Sequence, residues 1–107
     1  MDIKGLKSVL DSTGLPVVYH SFESSGLKVQ SPPYIIFMLK NSDNTGADNR
    51  VYYKQNNYNI ELYTNKKDIA TEQKLEDAFD SASIFYDKTE SYIESEHMFE
   101  ILYEIEI

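Results

Sequence analysis

The strongest constraint on the fold is the alternation of apolar and acidic residues through residues 98–107. The apolar members fall on one side of an extended strand: Phe99, Ile101, Tyr103, Ile105 and Ile107. Glu100, Glu104 and Glu106 fall on the other side, because successive side chains of a strand point to opposite faces of a sheet. Met98 and Leu102 share the glutamate side, so that side is not wholly polar. The pattern predicts a half-buried strand with one face on a hydrophobic core.

Two helices are predicted to cover that core. The first spans about residues 2–13, where apolar residues recur at helical spacing before a glycine and a proline end the helix: Ile3, Leu6 and Leu10. The second spans about residues 69–82 and begins after Asp68, a suitable N-cap. Glu72 and Glu76 are expected to lie mostly off its apolar stripe, which consists of Leu75, Ala78, Phe79 and Ala82.

Further segments have the character of strands. Residues 17–22 predict a short strand, and the all-apolar run 34–39 predicts a central strand covered on both faces. Residues 41–49 have the composition of a loop. Residues 51–63 are β in character, but one strand of that length would span roughly 43 Å, so we expect the segment to bend, bulge or project as an arm. Residues 84–93 predict a short strand followed by a turn or a second short strand.

Together these elements predict an α+β fold, with two helices packed on one face of a four- to five-stranded, mostly antiparallel sheet. The 107 residues contain no repeat or low-complexity stretch and fit one domain, residues 1–107. The longest apolar run, residues 34–39, is far shorter than the ~20 residues of a membrane helix. The N-terminus lacks the apolar region of a secretory signal. We therefore expect a soluble protein without a membrane partner.

The net charge of -8 is unevenly distributed along the chain. Residues 1–67 hold eight basic and six acidic side chains, a net charge of +2. Residues 68–107 hold two basic and twelve acidic side chains, a net charge of -10. This balance argues against non-specific nucleic-acid binding, which needs a basic surface. The acidic half is either a solvated face or a surface that avoids something anionic or docks something basic.

Residue patterns that carry chemistry are few. The absence of cysteine excludes a thiol nucleophile and cysteine-ligated metals. His20 and His97 are far apart in sequence and lack the spacing of a metal motif, and the four glycines are not grouped into a phosphate-binding loop. Residues 43–49 lack the register of a calcium loop. We expect no enzyme, cofactor or metal, and a small hydrolase that depends on His20 or His97 is the remaining enzymatic alternative.

Two features are typical of subunit contacts. The predicted loop, residues 41–49, holds acidic residues, and loops of this length in small domains often carry function. Tyrosine occurs nine times and is enriched in protein interfaces, although packing at the edge of the core is its alternative role. The candidate interface residues are Asp43, Asp48, Arg50, Tyr52, Tyr53 and Tyr63. The strand 51–63 and the terminal strand are the expected sites of pairing between subunits.

Several stretches of the chain resemble small neck proteins of phages and prophages of Gram-positive bacteria. They are residues 14–19 with Phe22, then 32–36, 47–52, 58–64, 67–68, 92–96 and 103–107. These proteins look like the tail-terminator (tail completion, head-to-tail joining) class of long-tailed phages, and the resemblance covers nearly the whole chain. Residues 23–30 form a longer stretch than that class leads us to expect.

The resemblance implies a structural virion protein that assembles, as a hexameric ring, onto the tail tube. Its implied partners are further copies of itself, the major tail tube protein and the head connector or closure protein, first in the host cytoplasm and then in the virion. DNA would pass through the ring without specific binding, because a lumen lined with carboxylates repels phosphates. The candidate lining residues are Glu94, Glu96, Glu100, Glu104 and Glu106.

Two other functions remain open. An acidic domain of this size could mimic DNA and inhibit a nucleic-acid-binding protein. Another neck role, such as head closure, is the second alternative.

Overall fold

The computed structural model describes residues 1–43, 45–47, 50–53 and 55–107, with the backbone alone described for 45–47 and 50–53. Within these residues, no helix has both the length and the apolar character needed to cross a membrane.

Both predicted helices are confirmed, and each begins at an aspartate cap. Helix α1 spans Ile3–Asp11, and the Asp2 carboxylate accepts a hydrogen bond from the backbone N–H three residues on, at 2.8 Å. Helix α2 spans Ile69–Ser81, and Asp68 Oδ1 accepts from the backbone N–H of Thr71 at 3.1 Å. These caps satisfy N–H groups of the first turn, which have no partner within the helix.

The described residues form seven strands in two sheets. Their bounds are β1 Val17–Tyr19, β2 Tyr34–Ser42, β3 Thr45–Ala47, β4 Arg50–Tyr53, β5 Asn56–Thr64, β6 Tyr86–Ile93 and β7 Met98–Glu106. The main sheet has the order β1-β2-β5-β7-β6, and β3 and β4 form a separate two-stranded sheet. Strand β1 is parallel to β2, and the other neighbours in the main sheet are antiparallel. The α+β prediction with a mostly antiparallel sheet is therefore confirmed.

One hydrophobic core lies between the two helices and one face of the main sheet. Leu6 and Leu10 of α1 and Leu75 and Phe79 of α2 are fully buried in it. The sheet contributes every second residue of β5 and β7: Tyr58, Ile60, Leu62, Ile101, Tyr103 and Ile105. Both helices therefore cover the same face, and the intervening side chains of these strands point away from the helices.

The predicted strand over residues 51–63 is divided between the two sheets. Strand β4 belongs to the small sheet and β5 to the main one, so the chain changes sheets between them. The nine residues of β5 alone span about 30 Å, which fits a small domain. The predicted loop 41–49 is wrong in part, because β2 continues through Ser42 and β3 lies within the segment.

The apolar run 34–39 lies in β2, an interior strand between β1 and β5, one place from the edge of the sheet. Its Ile35 and Phe37 face the helices and are buried. On the opposite face, Phe22 packs edge-on against Tyr34 with their ring centroids 5.0 Å apart. The cover predicted for the second face is therefore a local cluster at one corner of the sheet.

The C-terminal strand is confirmed as β7, but it lies inside the sheet between β5 and β6. Both of its sides are hydrogen-bonded to neighbours, so its predicted role in pairing between subunits is wrong. Residues 84–93 contain the single strand β6 in place of two short pieces. Strand β6 occupies the edge of the sheet, where its outer backbone groups face away from β7.

Candidate functional site: the open face of the sheet

The face of the main sheet that neither helix covers is termed here the open face. Its side chains come from alternating positions of four strands: Ile36, Met38 and Lys40 on β2, Asn57, Asn59, Glu61 and Tyr63 on β5, Asp87, Thr89, Ser91 and Ile93 on β6, and Met98, Glu100, Leu102, Glu104 and Glu106 on β7. Antiparallel sheets commonly expose one such face to water. Here that face combines carboxylates with partly buried aliphatic side chains.

Tyr63 stands between two of these carboxylates. Its hydroxyl oxygen is 3.0 Å from Glu61 Oε2 and 2.9 Å from Glu100 Oε2. A hydroxyl donates one proton, so it serves one carboxylate at a time. Burial first, and then the two carboxylates, raise the pKa of Tyr63. The hydroxyl therefore stays protonated and remains a donor.

The environment of Glu61 disfavours its charge. Burial, the largest cause, raises its pKa, the hydrogen bond from Tyr63 lowers it, and the charge of Glu100 raises it again. The net direction is upward. Two carboxylates and one shared donor thus form a compact anionic group near one end of β5.

An ion pair partly neutralises the acidic row on β7. Lys40 Nζ lies 2.8 Å from Glu104 Oε2, and both side chains are more than a third exposed. Exposed pairs of this kind contribute about 0–1 kcal/mol to stability. Glu106, two residues on, is exposed. The pair therefore lowers the charge of the open face locally while leaving the row accessible.

The five predicted lining residues fall into two groups. Glu100, Glu104 and Glu106 share the open face of β7. Glu94 and Glu96 lie in a single 3-10 turn, Glu94–Glu96, so they do not share the open face with the other three. The reason is the pairing of Ile93 with Met98, which requires the residues between them to reverse the chain.

Of the predicted interface residues, the two whose side chains the structure describes, Asp43 and Tyr63, are not brought together. Tyr63 pairs with Tyr34 at one end of the β2–β5 ladder, and Asp43 follows β2 beyond the other end, about 25 Å away along the strands. Asp43 is exposed, and its backbone N–H donates to the carbonyl of Gln55 at 2.8 Å. Asp48 lies outside the described residues, as do the side chains of Arg50, Tyr52 and Tyr53, whose backbone belongs to β4.

The two histidines occupy turns. His20 follows β1 and His97 precedes β7, and both have positive φ, 67° and 52°. In the described part of the chain, no three side chains of the histidine, aspartate and glutamate types are arranged to hold a metal ion. The described side chains of the open face can therefore interact with a partner through charge, hydrogen bonds and apolar contact.

A second charged cluster lies on the helix side, between α2 and strands β6 and β7, and is termed here the α2–β6 network. Glu72 is only 2% exposed, and it lies 2.7 Å from Lys67 Nζ and 2.8 Å from Lys88 Nζ. Lys88 Nζ is also 2.7 Å from Glu76 Oε2. That same oxygen accepts a hydrogen bond from the Tyr103 hydroxyl at 2.7 Å. The network ties the edge strand to the helix above it.

The prediction that Glu72 lies off the apolar stripe is wrong. It precedes Leu75 by three residues and Phe79 by seven, a spacing that places all three on one face of the helix. Burial alone would raise the pKa of Glu72, but hydrogen bonds from Lys67 and Lys88 outweigh it and hold that pKa below the ordinary value. The spacing was the available signal in the sequence, whereas the lysine partners depend on tertiary structure.

A scan against protein-family models finds no match to this chain, and a search of curated proteins finds none. The functional interpretation therefore depends on the geometry of the open face and on the resemblance noted from the sequence.

Proposed function

We propose that this chain is a structural protein of the phage neck, of the tail-terminator (tail completion) class. Its copies form a ring that caps the tail tube and joins it to the head connector. DNA passes through the ring without being bound. The observation that best supports this proposal is the open face, which neither helix covers and which presents Glu100, Glu104 and Glu106 in a row along β7.

The row is suited to a surface that DNA passes. Phosphate contacts made by lysine and arginine supply most non-specific affinity for DNA. A surface with carboxylates in their place therefore does not bind DNA. The repulsion acts over about 8 Å at physiological ionic strength. A lining of this kind therefore keeps DNA off the protein wall without influencing distant parts of the assembly.

The anionic group at Glu61 extends this surface beyond β7. The Tyr63 hydroxyl oxygen, 2.9 Å from Glu100 Oε2, links this group to the acidic row on β7. Lys40, on the β2 side of this face, is basic and neutralises Glu104. We place the DNA path along β7, with the β2 side of the open face toward neighbouring protein.

Charge reversal tests the proposal. The double variant Glu104→Lys/Glu106→Lys makes the row basic, and we expect phage that carry it to lose infectivity at least tenfold while still assembling rings visible by electron microscopy. Asp77→Lys/Asp80→Lys is the matched control, because both residues are exposed on α2 and the charge change is the same. Equal infectivity of the two double variants would contradict the placement of the open face along the DNA path.

The same particles separate this proposal from the inhibitor alternative. A neck protein remains in purified virions in a fixed number of copies, measured by quantitative mass spectrometry. A DNA-mimic inhibitor acts in the host cell and would be missing from them.

A further inference from the structure

The two edges of the main sheet differ in how they are protected. At the β1 edge, the carbonyl of Tyr19 accepts hydrogen bonds from Ser25 Oγ at 3.2 Å and from the backbone N–H of Ser21 at 2.8 Å, so the following turn caps this short strand. At the other edge, β6 presents eight residues. Within the described part of the chain, no strand pairs with its outer side. An unpaired edge of this length is a template for another strand.

We propose that β6 pairs antiparallel with β6 of a second copy of this chain, across a two-fold axis at Thr89. The two main sheets then become one continuous sheet. This inference goes beyond the proposed function and stands apart from it. A two-fold pair is a closed state of the free protein, whereas a ring is built from a different, head-to-tail contact.

Two-fold symmetry allows only registers in which one residue of β6 lies opposite its own copy. With Thr89 on the axis, Lys88 lies opposite Glu90 of the second copy, and Asp87 lies opposite Ser91 of that copy. Opposed side chains in such a pair share a face of the sheet, where opposite charges attract. Because the pair is symmetric, the contact between Lys88 and Glu90 occurs twice in each interface. It extends the α2–β6 network across the interface.

Phe85 supplies the apolar contact of this pair. It directly precedes β6 and is 81% exposed, the highest exposure among the large apolar side chains of the described residues. The Thr89 register places it opposite Ile93 of the second copy. Pairing would thus remove from water an aromatic ring that the isolated chain leaves uncovered.

Neighbouring registers are opposed by charge. An axis at Lys88 places two lysines opposite each other, and an axis at Glu90 or Asp87 places two carboxylates opposite each other. Like charges directly opposite each other destabilise a strand pair. An axis at Ser91 sets three of the eight residues of β6 past the end of the partner strand, opposite its 3-10 turn. The Thr89 register is therefore the one that keeps the strands aligned without opposing like charges.

Single-cysteine variants test this register, because the chain has no cysteine of its own. In Thr89→Cys the two thiols would lie on opposed residues with Cα atoms about 4.5–5.5 Å apart, within the reach of a disulfide. In the matched control Ser91→Cys, exposed on the same face, the two thiols would be about 13 Å apart. We expect mild oxidation of the full chain to convert Thr89→Cys to a covalent dimer at least tenfold faster than Ser91→Cys. Equal rates, or a Thr89→Cys chain that stays monomeric, would overturn the proposal.

Sedimentation equilibrium gives a second test that needs no covalent bond. The unmodified chain should sediment as a dimer, and Glu90→Lys should weaken dimerisation at least tenfold by setting lysines against Lys88. Glu94→Lys, which makes the same charge change in the turn beyond β6, should leave the dissociation constant within about twofold. An unmodified chain that remains monomeric at high concentration, or equal weakening by both variants, would refute the pairing. The infectivity test of the ring uses other residues, so the two proposals can fail separately.

Discussion

The α2–β6 network provides the sharpest test of how the edge strand is held. Lys88→Met keeps most of the side-chain length and removes the charge that contacts Glu72 at 2.8 Å and Glu76 at 2.7 Å. Removing one partner of a buried ion pair costs about 3–5 kcal/mol. Because the Lys88 side chain is 35% exposed and Glu72 keeps Lys67, we expect a smaller loss, about 2 kcal/mol.

The loss should be read from the free energy of unfolding in dilute solution, by urea titration followed with circular dichroism. A change of this size lowers the melting temperature by about 10 °C for a domain of this length. Lys74→Met is the matched control, because Lys74 is exposed on helix α2, and it should change the free energy by no more than about 0.5 kcal/mol.

The effect of Lys88→Met should also depend on pH. In the folded chain, burial pushes the pKa of Glu72 and Glu76 upward, but their hydrogen bonds outweigh burial and hold both pKa values below the ordinary value. Such groups stabilise the fold above their unfolded pKa, near 4.3, and that stabilisation is lost as the pH falls through the folded pKa. The difference between the variant and the parent should therefore shrink below about pH 4. A loss under 0.5 kcal/mol at pH 7, or a loss that is equal at pH 7 and pH 3, would refute this account of the network.

Three further perturbations test the core, the open face and a helix cap. Phe79→Ala should cost about 3–5 kcal/mol, because this fully buried ring packs against two tyrosines, and a urea-unfolding change below 1 kcal/mol would contradict its place in the core. Glu61→Gln should stabilise the fold at pH 7 by about 0.5–1 kcal/mol and have no effect at pH 3, because the raised pKa makes its charge unfavourable only above that pKa; destabilisation at pH 7 would count against the crowding of Glu61 by Glu100. Asp68→Ala should cost about 1 kcal/mol and speed amide exchange in the first turn of α2, whereas Asp77→Ala should do neither, and equal effects of the two would argue against the cap.

Local sequence patterns predicted the helices and strands in which apolar residues recur at the spacing of that element. The alternation from Phe99 to Ile107 placed β7 and its buried face correctly. In a half-buried strand with a period of two, only one choice of face buries all the apolar side chains. The two helices were predicted equally well, since each carries apolar residues at helical spacing, and Asp68 marks the start of the second. These features depend on neighbours within a few positions.

The order of strands and the partners of charged residues depend on contacts between distant segments. Nothing local in β6 shows that it takes the edge of the sheet while β7 takes the interior. The burial of Glu72 is another example, because its partner Lys88 lies sixteen positions away on a different element. The place of Glu94 and Glu96 in a turn follows from the register of β6 against β7, which composition does not encode.

The proposed neck ring, with its open face along the DNA path, can be seen directly in a cryo-electron-microscopy reconstruction. The sample would be particles of a phage whose genome encodes this chain, with the neck reconstructed. We predict a ring of this chain at the end of the tail tube, with Glu100, Glu104 and Glu106 facing the channel. Particles whose neck lacks the chain, or a ring in which α1 and α2 face the channel, would contradict the claim.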